Sequence, residues 1–256
     1  VIESSSSNLS TKGKAVDEEL QSKLSSYHNR AINDARGVIG KLDKSLSDEN
    51  EVKGIPQSLV EDQGVTDFVN EVQLYNSAKY LEGLGIESNS GYNVSGAALF
   101  DANSNMFAGD ITKAAVSNIY KYDNKLYIIK TNGKQLKRYM EWTASIYNQF
   151  KTGDLTVSLN EDIRLYQYDM FDGITYDINI SKPAGKRIEN LYFEKDGKEV
   201  SDEDVVYLAV NNYRYDSILN SSSNPVFEQG THKKIYDSGA DEVSDMRDLI
   251  IEYITN

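Results

Sequence analysis

Histidine, carboxylate and serine carry most hydrolytic and metal chemistry, and here their spacing matches none of the usual arrangements. His28 and His232 lie far apart in the chain, and neither has a second histidine nearby. A histidine zinc site needs two or three imidazoles within reach of one another, often four residues apart on a helix, so both read as surface histidines. Asp101, Asn103 and Asn105 imitate the start of a calcium loop, but Met106 stands where the turn glycine belongs and Thr112 where the bidentate glutamate belongs. Ser95 sits in Asn-Val-Ser-Gly-Ala, without the paired glycines of a nucleophile elbow. Gly83-Leu84-Gly85 lacks the third glycine of a dinucleotide fingerprint, and it follows a helical pattern where the fingerprint follows a strand. With 40 acidic residues, paired carboxylates arise by chance. The cluster Asp237, Asp241, Glu242, Asp245 and Asp248 reads as a solvated helix start. These residues suit a domain that binds rather than reacts. Tyrosine is the outlier, with 18 copies against one tryptophan and seven phenylalanines. An aromatic ring bearing a hydroxyl suits the holding of flat ligands. A tyrosine-rich genome gives the same count, and composition alone does not separate the two.

The elements that must position such residues follow from periodicity. Residues 1–15 are serine-rich and aperiodic and read as a disordered or linker segment. Leu20, Leu24, Tyr27, Ala31, Ala35 and Val38 recur at helical spacing from Val16 to about Gly40. Residues 43–58 read as loop, and Phe68, Val69, Val72 and Tyr75 mark a helix over about 60–82, with Gly83 and Gly85 able to end it. VSGAALF (94–100) is a short apolar run, 101–110 a polar loop, and a short helix follows through Ala114, Ala115 and Ile119. LYII (126–129) predicts a strand and Asn132-Gly133 a turn. Leu136, Tyr139, Met140, Thr143, Ile146, Tyr147 and Phe150 predict one helix from Lys134 to Phe150. ITYDINI (174–180) alternates as a half-buried strand, Asp196-Gly197 suggests a hairpin, and VVYLAVNNY (205–213) is a buried strand with a polar end. A last helix carries Val243, Met246, Ile250 and Tyr253. Helices grouped apart from hairpin-linked strands predict an α+β fold.

A chain of 256 residues and 28.7 kDa can bury about three quarters of its unfolded surface. With 39% apolar and 10% aromatic residues it has the material for a core. No run of 18 apolar residues predicts a membrane span, and the absence of cysteine excludes disulfides and thiolate metal sites. A net charge of −13 argues against a nucleic-acid polymer as partner, because phosphate contacts need a basic face. A small nucleotide stays open, since a local pocket can differ from the global field. The chain begins at Val1 without a basic and apolar leader pattern, and reads as a piece of a longer polypeptide or a mature form.

Five stretches in order resemble one family: GVTDFVNEVQLY (64–75), VSGAALF (94–100), GDITKAAVSNIYKYDNKLYIIKTNGKQLKRYMEW (109–142), YDMFDGITYDINISKPAGKRIENLYF (168–193) and VVYLAVNNYRY (205–215). Together they resemble the C-terminal domain of the 5′-nucleotidase family. Within it they are most similar to the bacterial 2′,3′-cyclic-nucleotide 2′-phosphodiesterase/3′-nucleotidases. The likeness covers about residues 30–256. It implies a layered α/β/β/α arrangement with mixed sheets, and one nucleoside-binding, specificity-setting domain over 16–256. It also implies an N-terminal metallophosphoesterase domain, absent from this chain, that holds a divalent metal pair and the catalytic Asn-His-Glu motif. Neither Gly-Asn-His-Glu nor Asp-x-His occurs here, so no catalytic residue and no cofactor is expected in this chain.

The resemblance further implies an exported bacterial protein that is extracellular, cell-wall-associated or periplasmic. Its partners would be a small-molecule nucleotide or nucleoside and the metallophosphoesterase domain in cis. In the family two aromatic rings sandwich the base. The matching positions are Tyr122 and Tyr213, and Asn124 matches an asparagine that hydrogen-bonds the base edge. Phe100 stands where many 5′-nucleotidases carry a phosphate-binding arginine, and other family arginines fall on Lys53 and Gln57. This departure suits a cyclic or 3′-phosphate. The glycine-rich segment after the second ring is replaced by Ser217–Pro225. Two further readings stay open: the same domain of a 5′-nucleotidase, and a non-catalytic surface interaction module on this fold.

Overall fold

The structure, a computed structural model, describes residues 4–47, 51–52 and 54–256. The chain divides into two compact units, Val1–Gly37 and Val38–Asn256. In the first, residues 4–17 form no helix or strand, and α1 runs Glu18–Ala35. Asp17 caps it by accepting from the Leu20 N–H at 2.9 Å. None of the α1 side chains is buried, its apolar stripe included.

The second unit opens with β1 (Val38–Leu42), so the helical spacing that extends to Gly40 in the sequence overshoots. β1 pairs antiparallel with a strand some 70 residues on, and that pairing outweighs local helical preference. A small hairpin, β2 (Glu51–Val52) with β3 (Ile55–Pro56), lies within the region read as loop. Next come α2 (Gly64–Gly83), β4 (Tyr92–Ala98), β5 (Gly109–Thr112), α3 (Lys113–Ile119), β6 (Leu126–Asn132) and α4 (Gly133–Ala144). They are followed by β7 (Asp169–Asp172), β8 (Ile174–Ile178), β9 (Ile188–Phe193) and β10 (Val205–Asn211). A short turn α5 (Asn212–Arg214) continues as a wider turn over Tyr215–Leu219, and β11 (Lys233–Asp237) and α6 (Met246–Thr255) complete the chain.

Five strands form one mixed sheet in the order β11-β6-β10-β4-β7; β10 and β4 are parallel and the other pairs antiparallel. Its two faces carry different layers. On one, Leu136, Tyr139 and Met140 of α4 and the β8–β9 hairpin meet Ile129, Val206 and Leu208. On the other, α2, α3 and α6 bring Val69, Ile119 and Ile250 against Leu126 and Ala209. The architecture is α+β with layered helices and mixed sheets.

α4 differs from its sequence pattern at both ends. Asn132 and Gly133 make no separate turn but open the helix. Asn132 caps the helix by accepting from the Gln135 N–H at 3.1 Å, and Gly133 is the first helical residue. A Cβ at Gly133 would lie 2.1 Å from the Ser201 carbonyl, so the close approach requires glycine. At the other end the helix stops at Ala144, six residues before Phe150. The buried Arg187 guanidinium takes up the terminal carbonyls, with Nη1 donating to Ala144 O at 2.7 Å and to Tyr147 O at 2.8 Å. Glu141 accepts from the Arg187 and Ile188 N–H groups at 2.9 and 2.8 Å and fixes the approach. Ile146 and Tyr147 stay buried beyond the helix, whereas Phe150 is exposed.

Candidate functional site

The antiparallel register of β6 and β10 sets Leu126 opposite Asn211. Residues just before β6 and just after β10 therefore emerge together at one end of the central sheet. The join is hydrogen-bonded both ways at 2.9 Å: the Lys125 N–H donates to Asn212 Oδ1, and the Asn212 N–H donates to the Lys125 carbonyl. Tyr122, two residues before Asn124, is 59% exposed, and Tyr213 on α5 is 47% exposed, so solvent reaches both rings. Burial and the neighbouring Tyr166 push the Tyr213 phenol up, with a smaller push from Tyr122, while Arg214 pulls it down. The three tyrosines thus share one electrostatic neighbourhood.

Each ring has an aromatic brace. The Phe100 ring lies edge-on to Tyr122 at 5.1 Å and to Tyr120 at 5.0 Å, and Tyr166 lies edge-on to Tyr213 at 6.4 Å. Charges pin the 120–124 loop on either side of Tyr122. Lys121 pairs with Asp101 at 3.4 Å, and Asp123 pairs with Arg247. The Asn124 carbonyl accepts from the Met246 N–H at 2.9 Å, and its side-chain Nδ2 reaches Tyr120 Oη at 3.5 Å. Asp101, first residue of the calcium-loop imitation, thus holds the loop, and Asn105 bonds the Ser47 backbone through both amide atoms.

Beneath Tyr213 lies a buried ion pair that sequence reasoning missed. Arg214 Nε sits 2.7 Å from Asp169 Oδ2 and Nη2 3.1 Å from Oδ1. Tyr139 donates its hydroxyl to Asp169 Oδ2 at 2.8 Å. Arg214 Nη2 also donates to the Tyr166 carbonyl, and the guanidinium carbon lies 5.3 Å from the centre of the Trp142 ring. Burial opposes the Arg214 charge, but Asp169 beside it more than restores it, so the guanidinium titrates above its usual value. One cation thus ties α5, the Tyr166 turn, α4 and β7 together. The signal was present as Arg214 between two tyrosines in NNYRY, but its partner stands 45 positions away.

The remaining sequence candidates are accounted for. Phe100, matched to an arginine only through the resemblance, is an aromatic brace. Lys53 lies outside the described residues. Gln57 hydrogen-bonds Glu61 in a 3₁₀ turn. Where a glycine-rich segment was missing, the chain continues as the helical turn Tyr215–Leu219. His28 is exposed, but His232 is half-buried, not a surface residue. Its Nε2 meets Asn220 Oδ1 at 3.1 Å beside the Tyr215 and Phe227 rings, and burial pulls its pKa down. Among the described residues, no group of three or more His, Asp or Glu could hold a metal ion, and no helix is long and apolar enough to cross a membrane.

A separate concavity of about 610 Å³ is lined by Asp62, Asp172 and Glu194 together with Tyr168 and Tyr176. Near these acids, in the first turn of α2, Asp67 stands at an exposed position, where partial desolvation pushes its carboxyl up to about 6 and the Asp62, Asp172 and Glu194 charges add to it. A carboxyl whose pKa is raised on folding contributes stability below its unfolded value. That contribution is lost as pH rises through the folded value. Asp67→Asn, neutral throughout, should therefore gain melting temperature over wild type between about pH 4 and pH 6 and hold a constant lead above that. A difference between the two melting curves that does not vary with pH contradicts the assignment.

The comparisons agree with this architecture. Residues 38–218 match the family model described as 5′-nucleotidase, C-terminal domain. The chain is 27% identical over 99% of its length to the trifunctional nucleotide phosphoesterase protein YfkN of Bacillus subtilis, covering 17% of that protein. It is 32% identical over 121 residues, 41% of the chain and 18% of the relative, to the 2′,3′-cyclic-nucleotide 2′-phosphodiesterase/3′-nucleotidase of Salmonella typhimurium. A crystal structure of a candidate 5′-nucleotidase from Staphylococcus aureus superposes with a TM-score of 0.70 at 22% identity, over 97% of this chain and 42% of that one. The chain spans under a fifth of the curated relatives it matches and under half of the solved structure. By its sequence and its fold, it belongs to the family of 5′-nucleotidase C-terminal domains.

Proposed function

We propose that this domain binds the nucleoside part of a 2′,3′-cyclic or 3′-nucleotide and positions its phosphate for hydrolysis on a separate metallophosphoesterase domain of an exported bacterial enzyme. Tyr122 and Tyr213 are the two stacking faces and Asn124 reads the base edge. The observation that carries the reading is the emergence of two exposed tyrosines, each with an aromatic brace, at one end of the central sheet. Stacking is worth roughly 1–3 kcal/mol per base and tolerates any base. An amide offers a donor and an acceptor, so it reads an edge without demanding one base. Phe100, in place of a phosphate-gripping arginine, favours the cyclic or 3′-phosphate over a 5′-phosphate. The divalent metal pair belongs to the other domain and would supply the hydrolytic chemistry there. What this chain supplies is binding energy from a remote part of the substrate, which lowers the barrier by orientation.

The domain alone should bind weakly. Two stacking faces and one or two hydrogen bonds give a few kcal/mol, and lost translational and rotational freedom takes much of that back. An NMR titration with adenosine and with adenosine 3′-monophosphate should return dissociation constants of order millimolar, near −4 kcal/mol. No shift change with either ligand into the tens of millimolar, about ten times that constant, contradicts the proposal.

A further inference from the structure

Tyr120 is 3% exposed, with its ring against Phe100, yet its hydroxyl sits between two asparagine side chains. Asn124 Nδ2 lies 3.5 Å from Oη, and burial pushes the phenol's pKa up while the nearby Asn124 and Asn211 side chains pull it down. Asn211 accepts from the Arg214 N–H at 2.8 Å through Oδ1, and its Nδ2 is a donor on the same side chain. A phenol has one proton to donate and two lone pairs with which to accept. Asn211 caps the turn that carries Tyr213, and Asn124 follows Tyr122 in the other ring-bearing segment.

An asparagine amide exchanges donor and acceptor by a half-turn about its last torsion, and the surrounding network decides which way it lies. Tyr120 satisfies both orientations. With Nδ2 inward, Oη accepts and Asn124 turns Oδ1 outward. With Oδ1 inward, the Oη–H donates and Nδ2 turns outward. The contact of 3.5 Å is at the long limit for a hydrogen bond.

We infer that Tyr120 is a positioning residue that sets base tolerance: its hydroxyl backs Asn124 in either orientation, so the site takes a base edge carrying an amino donor or a keto acceptor. This rests on the base-clamp reading above. With Tyr120→Phe, an inward Nδ2 loses its partner for buried N–H donors, whereas an inward Oδ1 becomes an under-satisfied carbonyl, the less costly of the two. Asn124 then settles with Nδ2 outward and favours keto bases.

The test is an NMR titration of the whole chain with adenosine and inosine, which differ at position 6 by amino against keto. Wild type should bind both about equally, and Tyr120→Phe should shift the ratio about fivefold towards inosine. Asn124→Asp, at a half-buried position, offers only acceptors and should shift it about as far towards adenosine. In an Asn124→Ala background, Tyr120→Phe should leave the ratio unchanged. An unmoved ratio in Tyr120→Phe or in Asn124→Asp overturns the inference, as does a Tyr120→Phe shift that survives Asn124→Ala. The combined Tyr122→Ala and Tyr213→Ala variant separates the two readings. If it abolishes binding while the ratios stay unmoved, the role of Tyr120 falls and the base clamp stands. If it binds as wild type does, the clamp falls and the role of Tyr120 with it.

Discussion

Replacing Tyr122 and Tyr213 together by alanine should abolish base-dependent chemical-shift changes on titration with adenosine 3′-monophosphate. Each ring contributes a stacking face worth roughly 1–3 kcal/mol, and wild-type binding near −4 kcal/mol leaves no reserve to absorb the loss of both. Both side chains are about half exposed, so their truncation costs the fold little. A folding change is therefore a poor explanation for lost binding, and an unchanged near-ultraviolet spectrum of the buried tyrosines would confirm that. Either single variant should weaken binding less than the pair. Asn124→Ala should weaken it less again, because a solvent-exchanged hydrogen bond is worth about 1 kcal/mol net. If the double variant keeps the wild-type shifts, the base lies elsewhere on the domain.

Asp169→Ala should destabilise the fold strongly. It leaves the Arg214 guanidinium, only 3% exposed at its side chain, without its carboxylate. Breaking a buried pair by removing one partner costs about 3–5 kcal/mol. Tyr139 also loses the acceptor for its buried hydroxyl. Chemical denaturation of Asp169→Ala against wild type measures the loss. Replacing both partners with apolar residues of similar size, Asp169→Leu with Arg214→Met, should recover much of it, because no orphaned charge remains. Recovery of stability without recovery of nucleoside binding would separate the two roles of the pair, since Arg214 also holds the Tyr166 turn that braces Tyr213. A loss under about 1 kcal/mol for Asp169→Ala would mean that the pair is solvated and does not anchor the site.

Much of the sheet was legible because strand periodicity is local. VVYLAVNNY reads as buried because β10 is covered on both faces, and ITYDINI alternates because β8 is covered on one. The errors were non-local. α4 stops at Ala144 because Arg187, more than 40 positions on, takes its terminal carbonyls. β1 is a strand because β5 pairs with it. Tyrosine count could not separate Tyr139 and Tyr168, both buried and structural, from Tyr122, Tyr166 and Tyr213, all exposed. Tyr122, Tyr213 and Asn124 were reached through the family resemblance, not through spacing. What the sequence hid was their support: Phe100, Tyr166, Asp169 and Arg214 converge only after folding.

The central claim is that a nucleoside base sits between Tyr122 and Tyr213. Intermolecular nuclear Overhauser effects between adenosine and this chain, with the aromatic protons of the two tyrosines assigned, test it most directly. The account predicts contacts from the base protons to the ring protons of both residues in one complex, each lost in the corresponding alanine variant. Base contacts to the Tyr168 and Tyr176 rings beside the acidic concavity, with none to Tyr122 or Tyr213, would contradict it.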